Sequence, residues 1–245
     1  MTDLEFINKV IEENQELYID LSSKIWSYAE LPYAEYKSSK LLWDILEEEG
    51  FSIQKGVADI PTAFTATYGS GKPVVGFLGE YDALDILSQK AATPVKCPIK
   101  EGAPGHGCGH NALGVGSLAA AIATKEYLAA NKKEGTVIYF GCPAEEGAGS
   151  KQFMARDGLF DNVDFVYTWH PATINEVQSS RSVAIMGANF EFKGKTAHAG
   201  STPHLGRSAL DAAELMSVGV NYLREHMIDQ ARIHYAYVDA GGVSP

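Results

Sequence analysis

Long apolar runs are missing from this chain, and so is any excess of basic charge. No stretch approaches the roughly 18 consecutive apolar residues of a membrane-spanning helix. The amino terminus, Met1-Thr2-Asp3-Leu4-Glu5, lacks the basic region and apolar core of a secretory signal. Twenty Lys and Arg against 31 Asp and Glu leave a net charge of −11 over 245 residues. No lysine or arginine run offsets that balance, which argues against nucleic acid and anionic membrane as partners. Cysteine is scarce as well: three residues, an odd number in a chain this long, do not make a disulfide framework. Cys97 and Cys142 each precede proline and read as structural. Internal repeats and low-complexity tracts are absent. The expectation is a soluble, cytoplasmic protein with chain enough for one large domain or two smaller ones.

What is present reads as alternating helices and strands. Thr2 and Glu5 fit a capping box, and Ile7, Val10, Ile11, Leu17, Leu21, Ile25 and Trp26 then recur at helical spacing. A second amphipathic segment carries Leu41, Leu42, Ile45 and Leu46 and stops at Gly50. Ala63 to Tyr68, Val74 to Gly79, Thr136 to Phe140 and Phe165 to Trp169 read as strands, the last three as apolar runs covered on both faces. These three end in Glu80-Tyr81-Asp82, in Glu145-Glu146 and in His170. Ligands of an open α/β sheet bind outside the carboxyl edge of its strands, so these residues are expected to converge. A polar loop from about Asp85 to Pro104 is long enough to suggest a functional role. After Ser180 the character changes: Ser182 to Lys193 alternates like a half-exposed strand, a helix follows from about Ser208 to His226, and Ile233 to Val238 reads as another strand. This predicts an amino-terminal domain over residues 1–180 and the start of a smaller one over 181–245. The closing Gly241-Gly242-Val243-Ser244-Pro245 reads as a turn, so the polypeptide is expected to be incomplete.

The chemistry centres on Gly105-His106-Gly107-Cys108-Gly109-His110-Asn111, where a thiol and an imidazole stand two residues apart among glycines, ahead of a helix predicted from Asn111 to about Ala130. Thiolate and imidazole are ligand types that zinc-like ions favour. Cys108, His110, Glu146 and His170 are the ligand candidates. Two adjacent glutamates at a strand end are costly to hold together without a cation. One can bind metal while its neighbour accepts a proton from a metal-activated water. Asp82 is placed to hold a ligating imidazole in one tautomer, and His106 reads better as an orienting group than as a ligand. Glu80 is left undecided. Four ligands suffice for one ion and are lean for two.

His106-Gly-Cys108-Gly-His110-Asn111, Pro143-Ala-Glu145-Glu146-Gly, His170 and Gly194-Lys-Thr-Ala-His198-Ala-Gly together resemble the di-metal aminoacylase/carboxypeptidase/amidohydrolase metallopeptidase family. The nearest branch is that of the p-aminobenzoyl-glutamate and auxin-conjugate hydrolases. The resemblance implies an α/β fold, with an open, mostly parallel sheet and flanking helices, followed by the beginning of a small α+β lid and dimerisation domain. It implies that Cys108, His110, Glu146 and His170 bind one or two divalent ions (zinc or manganese), that Glu145 is the general base, and that Asp82 supports the ligands from behind. His198 would reach from the lid of a homodimer partner to polarise the scissile carbonyl. Asp85 departs from the family's usual proline, and a further metal-binding histidine is expected beyond Pro245. The implied reaction is hydrolysis of the amide bond of N-acyl, aminobenzoyl or aminoacyl amino acids. The alternatives are a dipeptidase of the same branch and an inactive truncated chain that keeps the fold. A purely structural zinc site has no use for Glu145.

Overall fold

A computed structural model describes residues 1–147, 149–179, 181 and 183–242. The chain divides into two compact units, Met1–Asn175 and Glu176–Pro245, a division five residues ahead of the composition change at Ser180.

The first unit begins with α1 (Asp3–Glu13) and α2 (Gln15–Tyr28). The Thr2–Glu5 capping box is formed, each side chain bonding the other residue's backbone amide. The single helix suggested by the apolar spacing is broken at Asn14, whose side-chain amide turns back to the Val10 carbonyl at 2.9 Å. Short polar side chains compete in this way with the helical hydrogen-bond ladder. α3 (Tyr36–Glu48) follows, its first turn held by the Glu30 carboxylate, which accepts from the Lys37 and Ser38 amides and the Ser38 hydroxyl.

Five strands form one sheet in the order β1-β2-β4-β3-β5: β1 (Ser52–Lys55), β2 (Phe64–Ser70), β3 (Val74–Gly79), β4 (Gly135–Gly141) and β5 (Phe165–Tyr167). β2 is antiparallel to both β1 and β4, whereas β3 is parallel to β4 and β5. The sheet is therefore mostly parallel in strand direction, with β2 reversed. β1 is short and mostly polar, with Ile53 its one apolar residue, and is not among the strands expected from the sequence. Alternation along β4 separates two cores. Val137 and Tyr139 join α2, α3 and α4 (His110–Asn131) on one face. Phe140 joins Val57, Ile60, Leu78 and Met154 on the other, the last from α5 (Ser150–Arg156).

α4 is tied to the carboxyl end of β3. Ser117 Oγ donates to the Leu78 carbonyl at 2.6 Å, and the Tyr139 hydroxyl donates to the Gly114 carbonyl at 3.1 Å. Gly114 allows this approach: a Cβ there would lie 2.6 Å from the Glu80 carbonyl oxygen. The long loop after Asp85 is pinned by paired backbone bonds between Leu84 and Gly105 and by the Gln89 side chain. Leu87 packs against Gly105 and Gly107, so the loop buttresses the glycine-rich turn before α4.

In the second unit, α6 (Ala209–Leu223) is capped by Ser208 and continues as a short 3-10 turn to His226. The strands expected over 182–193 and 233–238 do not form among the described residues; Ser182 itself lies outside them. An alternating pattern becomes a strand only beside a partner for its backbone groups, and no ladder flanks either segment among the described residues. Leu210, Leu215 and Leu223 of α6 are 40%, 72% and 49% exposed.

Candidate metal centre

The carboxyl ends of β3 and β4, the segment after β5 and the first residues of α4 meet at one place. His110, the first residue of α4, is fully buried. Its Nδ1 lies 2.9 Å from Asp82 Oδ1. Because the carboxylate can only accept, Nδ1 carries the hydrogen and the Nε2 lone pair faces inward. The other Asp82 oxygen accepts the Glu146 backbone amide at 2.9 Å, so one aspartate sets both the imidazole and the glutamate turn. His170 is fixed in the same tautomer, its Nδ1 donating to the Pro171 carbonyl at 3.0 Å. Its Nε2 lies 3.1 Å from Cys108 Sγ.

Gly109 makes this closeness possible. Its φ of +83° is left-handed, and a Cβ there would sit 2.9 Å from Pro171 Cγ, so any other residue would push the cysteine turn away from the His170 turn. Trp169 anchors the second turn by packing its indole on α4 at Gly116.

Three carboxylates crowd His110 Nε2, with Glu80 Oε2 at 3.1 Å, Glu145 Oε2 at 3.7 Å and Glu146 Oε1 at 4.0 Å. Two triads of potential ligand atoms result, Cys108–His110–His170 and Glu80–His110–Glu145. His110 Nε2, Glu80 Oε2 and Glu146 Oε1 are buried without a hydrogen-bond partner. Glu80, undecided from sequence, proves central, and sequence reading missed Lys151, whose ammonium holds Glu80 Oε1 at 2.6 Å. The helical spacing of α5 carries no sign that Lys151 turns inward.

The electrostatics follow from this crowding. Burial, then a hydrogen bond to Glu146 and the charges of Glu146, Glu145 and Glu80, push the Cys108 thiol up to about 12. For His110, burial pulls the pKa down, but Asp82, Glu80 and Glu146 outweigh it and the net shift is upward. Burial and the Glu80 charge raise Glu145, against the opposing pull of Lys151 and His110.

His106 turns away from this cluster. It donates from Nε2 to the Ile25 carbonyl at 3.0 Å, pinning the glycine-rich turn to α2, and burial lowers its pKa to about 4. In place of the expected orienting bond to a ligand it makes a tether. His198 belongs to the second unit, where its Nδ1 accepts from the Gly200 and Ser201 amides at 3.1 and 3.2 Å. The neutral ring therefore carries its hydrogen on Nε2. All three cysteines are free, with Cys142 buried beside Met154.

Residues 76–234 match peptidase family M20/M25/M40. The chain belongs to this family. It is 47% identical over 240 residues to a p-aminobenzoyl-glutamate hydrolase subunit of Escherichia coli K12, covering 98% of this chain and 50% of that protein. The Xaa-Arg dipeptidase of Mus musculus is 33% identical over 249 residues, covering 96% of this chain and 53% of its own length. The chain thus spans about half the length of these curated relatives. Among solved structures, the aminobenzoyl-glutamate utilization protein from Klebsiella pneumoniae shares the fold with a TM-score of 0.60 at 19% identity, over 88% of this chain and 60% of that one. A putative aminohydrolase from methicillin-resistant Staphylococcus aureus does so with a TM-score of 0.59 at 20% identity, over 94% and 59%. No helix among the described residues is long and apolar enough to cross a membrane.

Proposed function

We propose that this M20/M25/M40 chain is a metal-dependent amidohydrolase in which Cys108, His110, Glu146 and His170 hold one or two divalent ions, zinc or manganese. The observation that supports this most directly is the inward convergence of buried atoms without hydrogen-bond partners: His110 Nε2, Glu80 Oε2 and Glu146 Oε1. Each such orphan costs about 1–3 kcal/mol, and a divalent cation satisfies them together. The donor set of thiol, two imidazole lone pairs and carboxylates suits zinc-like ions.

A bound ion supplies Lewis acidity and lowers the pKa of water. The chain's own residues do the rest. Asp82 keeps the His110 Nε2 lone pair turned inward and anchors the Glu146 amide. Glu145, with 39% of its side chain exposed, takes the proton from the attacking water and passes it to the leaving nitrogen. His198, with its hydrogen on Nε2, polarises the scissile carbonyl in the partner subunit's site, reaching it from the lid of the homodimer. The substrate class is the amide of an amino acid with an acyl, aminobenzoyl or aminoacyl group. Similarity to an Xaa-Arg dipeptidase favours a dipeptide as the second reading. A cytoplasmic location is part of this proposal.

The test is metal content after dialysis against a weak chelator, together with hydrolysis of p-aminobenzoyl-glutamate, N-acyl amino acids and Xaa-Arg dipeptides with zinc or manganese. Retained metal that is lost in both Cys108→Ser and His110→Ala supports the ligand assignment. Equal metal content in wild type and both variants overturns it.

A further inference from the structure

Glu35 is a fully buried carboxylate that the proposed reaction does not use. It lies between α2 and α3, distant in sequence from every candidate ligand. Its Oε1 accepts the Ala144 amide at 2.8 Å and the Tyr33 amide at 3.0 Å, and its Oε2 accepts from Thr62 Oγ1 at 3.0 Å. The Thr62 carbonyl in turn receives the Tyr81 hydroxyl at 2.6 Å, and Tyr81 stands between Glu80 and Asp82. One carboxylate thus links the turn that presents Glu145 and Glu146 to the turn that presents Glu80 and Asp82.

The first of these turns needs holding. Ala144 has a φ of +59°, a left-handed conformation that costs a non-glycine residue about 1–2 kcal/mol. Its carbonyl closes the turn by accepting the Gly147 and Gly149 amides at 3.2 and 2.9 Å. Strain of this kind persists only where surrounding bonds over-determine it. A buried carboxylate collecting two amides and a hydroxyl is such a constraint, and charge-assisted bonds are roughly twice as strong as neutral ones.

We infer that Glu35 is a positioning residue, clamping the Ala144 turn so that Glu145 and Glu146 stay in register with His110 for metal binding. The metal-binding part rests on the proposed function; the clamp itself does not. Two measurements on the full chain separate them. Hydrogen exchange of Cys142–Gly147 in metal-free protein reads the clamp, and competition between the protein and a chromophoric chelator for zinc reads its consequence.

Glu35→Ala should speed exchange in that turn at least tenfold and weaken zinc binding about 10–100-fold, the range found when groups supporting metal ligands are removed. Glu35→Gln, which keeps an acceptor for the Ala144 amide, should restore both to within about threefold. Glu30→Ala is the control for a merely structural effect: it removes a half-buried loop carboxylate of similar bonding that caps α3 and does not touch the turn. It should lower thermal stability without changing turn exchange or zinc affinity. Unchanged turn exchange in folded Glu35→Ala overturns the inference, as does equal loss in Glu30→Ala. If Glu35→Ala does not fold, failure of Glu35→Gln to keep wild-type exchange in the turn overturns it. If the wild-type chain binds no zinc, the proposed function fails, while the exchange measurement still decides the clamp.

Discussion

Replacing Lys151 with methionine tests the electrostatic design of the site. Lys151 Nζ lies 2.6 Å from Glu80 Oε1, with side chains 30% and 7% exposed. Removing one partner of a buried ion pair costs about 3–5 kcal/mol, because the remaining charge loses its compensation. The partial exposure of Lys151 places this pair at the lower end, near about 3 kcal/mol. For a unit of this size each kcal/mol moves the midpoint by about 2–4 °C, so metal-free Lys151→Met should melt about 6–12 °C below wild type. Added zinc or manganese should recover more of the loss than it adds to wild type, because the uncompensated Glu80 carboxylate faces the same space as His110 Nε2, 3.1 Å away. The double variant Lys151→Met/Glu80→Gln removes both charges and should return most of the metal-free stability. Calorimetric melts with and without metal decide the matter. A metal-free Lys151→Met melting within about 1 °C of wild type would refute the claim that this pair is energetically coupled, and a double variant no better than the single would refute the pairwise explanation.

Other outcomes follow from the same geometry. Gly109→Ala should lose about 2 kcal/mol or more in chemical denaturation, from its positive φ and the clash with Pro171; a loss below about 0.5 kcal/mol would mean the turn relaxes freely. Asp82→Asn should weaken metal affinity about 10–100-fold in chelator competition, and unchanged affinity would remove Asp82 from its supporting role. Zinc binding should release protons and tighten as pH rises, since Cys108, pushed up to about 12, must give up its proton. Calorimetry in buffers of different ionisation enthalpy measures that release, and none would contradict a thiolate ligand. In metal-free protein the raised His110 pKa contributes stability that is fully present below its unfolded value near about 6.5 and is lost as pH climbs through the folded value; the His110→Gln variant should flatten that dependence in melts taken across the window.

The scaffold and several of the candidate site residues are legible in the sequence alone. Apolar runs that end in ionisable residues declare buried strands, because a strand covered on both faces leaves only its end for polar groups. Val74–Gly79 and Gly135–Gly141 formed where that rule put them. Phe165–Tyr167, also read as covered on both faces, is instead an edge strand whose residues are 57%, 43% and 56% exposed, because no strand pairs beyond it among the described residues. The Cys108-Gly109-His110 step was equally visible as a candidate, since its spacing is local. Tertiary structure alone decided what depends on pairing between distant segments. Ser182–Lys193 alternates as a strand does, but alternation says nothing of a partner, and the described part of it pairs with none. The mostly polar β1 shows the converse: its backbone pairs with β2 although Ile53 is its one apolar residue. Lys151 and Glu35 look like ordinary surface charges in the sequence. Only the folded chain brings the first to Glu80, 71 residues away, and the second to Ala144, 109 residues away. A buried charge is set by what surrounds it in space, and neither its identity nor its neighbours in the chain record that.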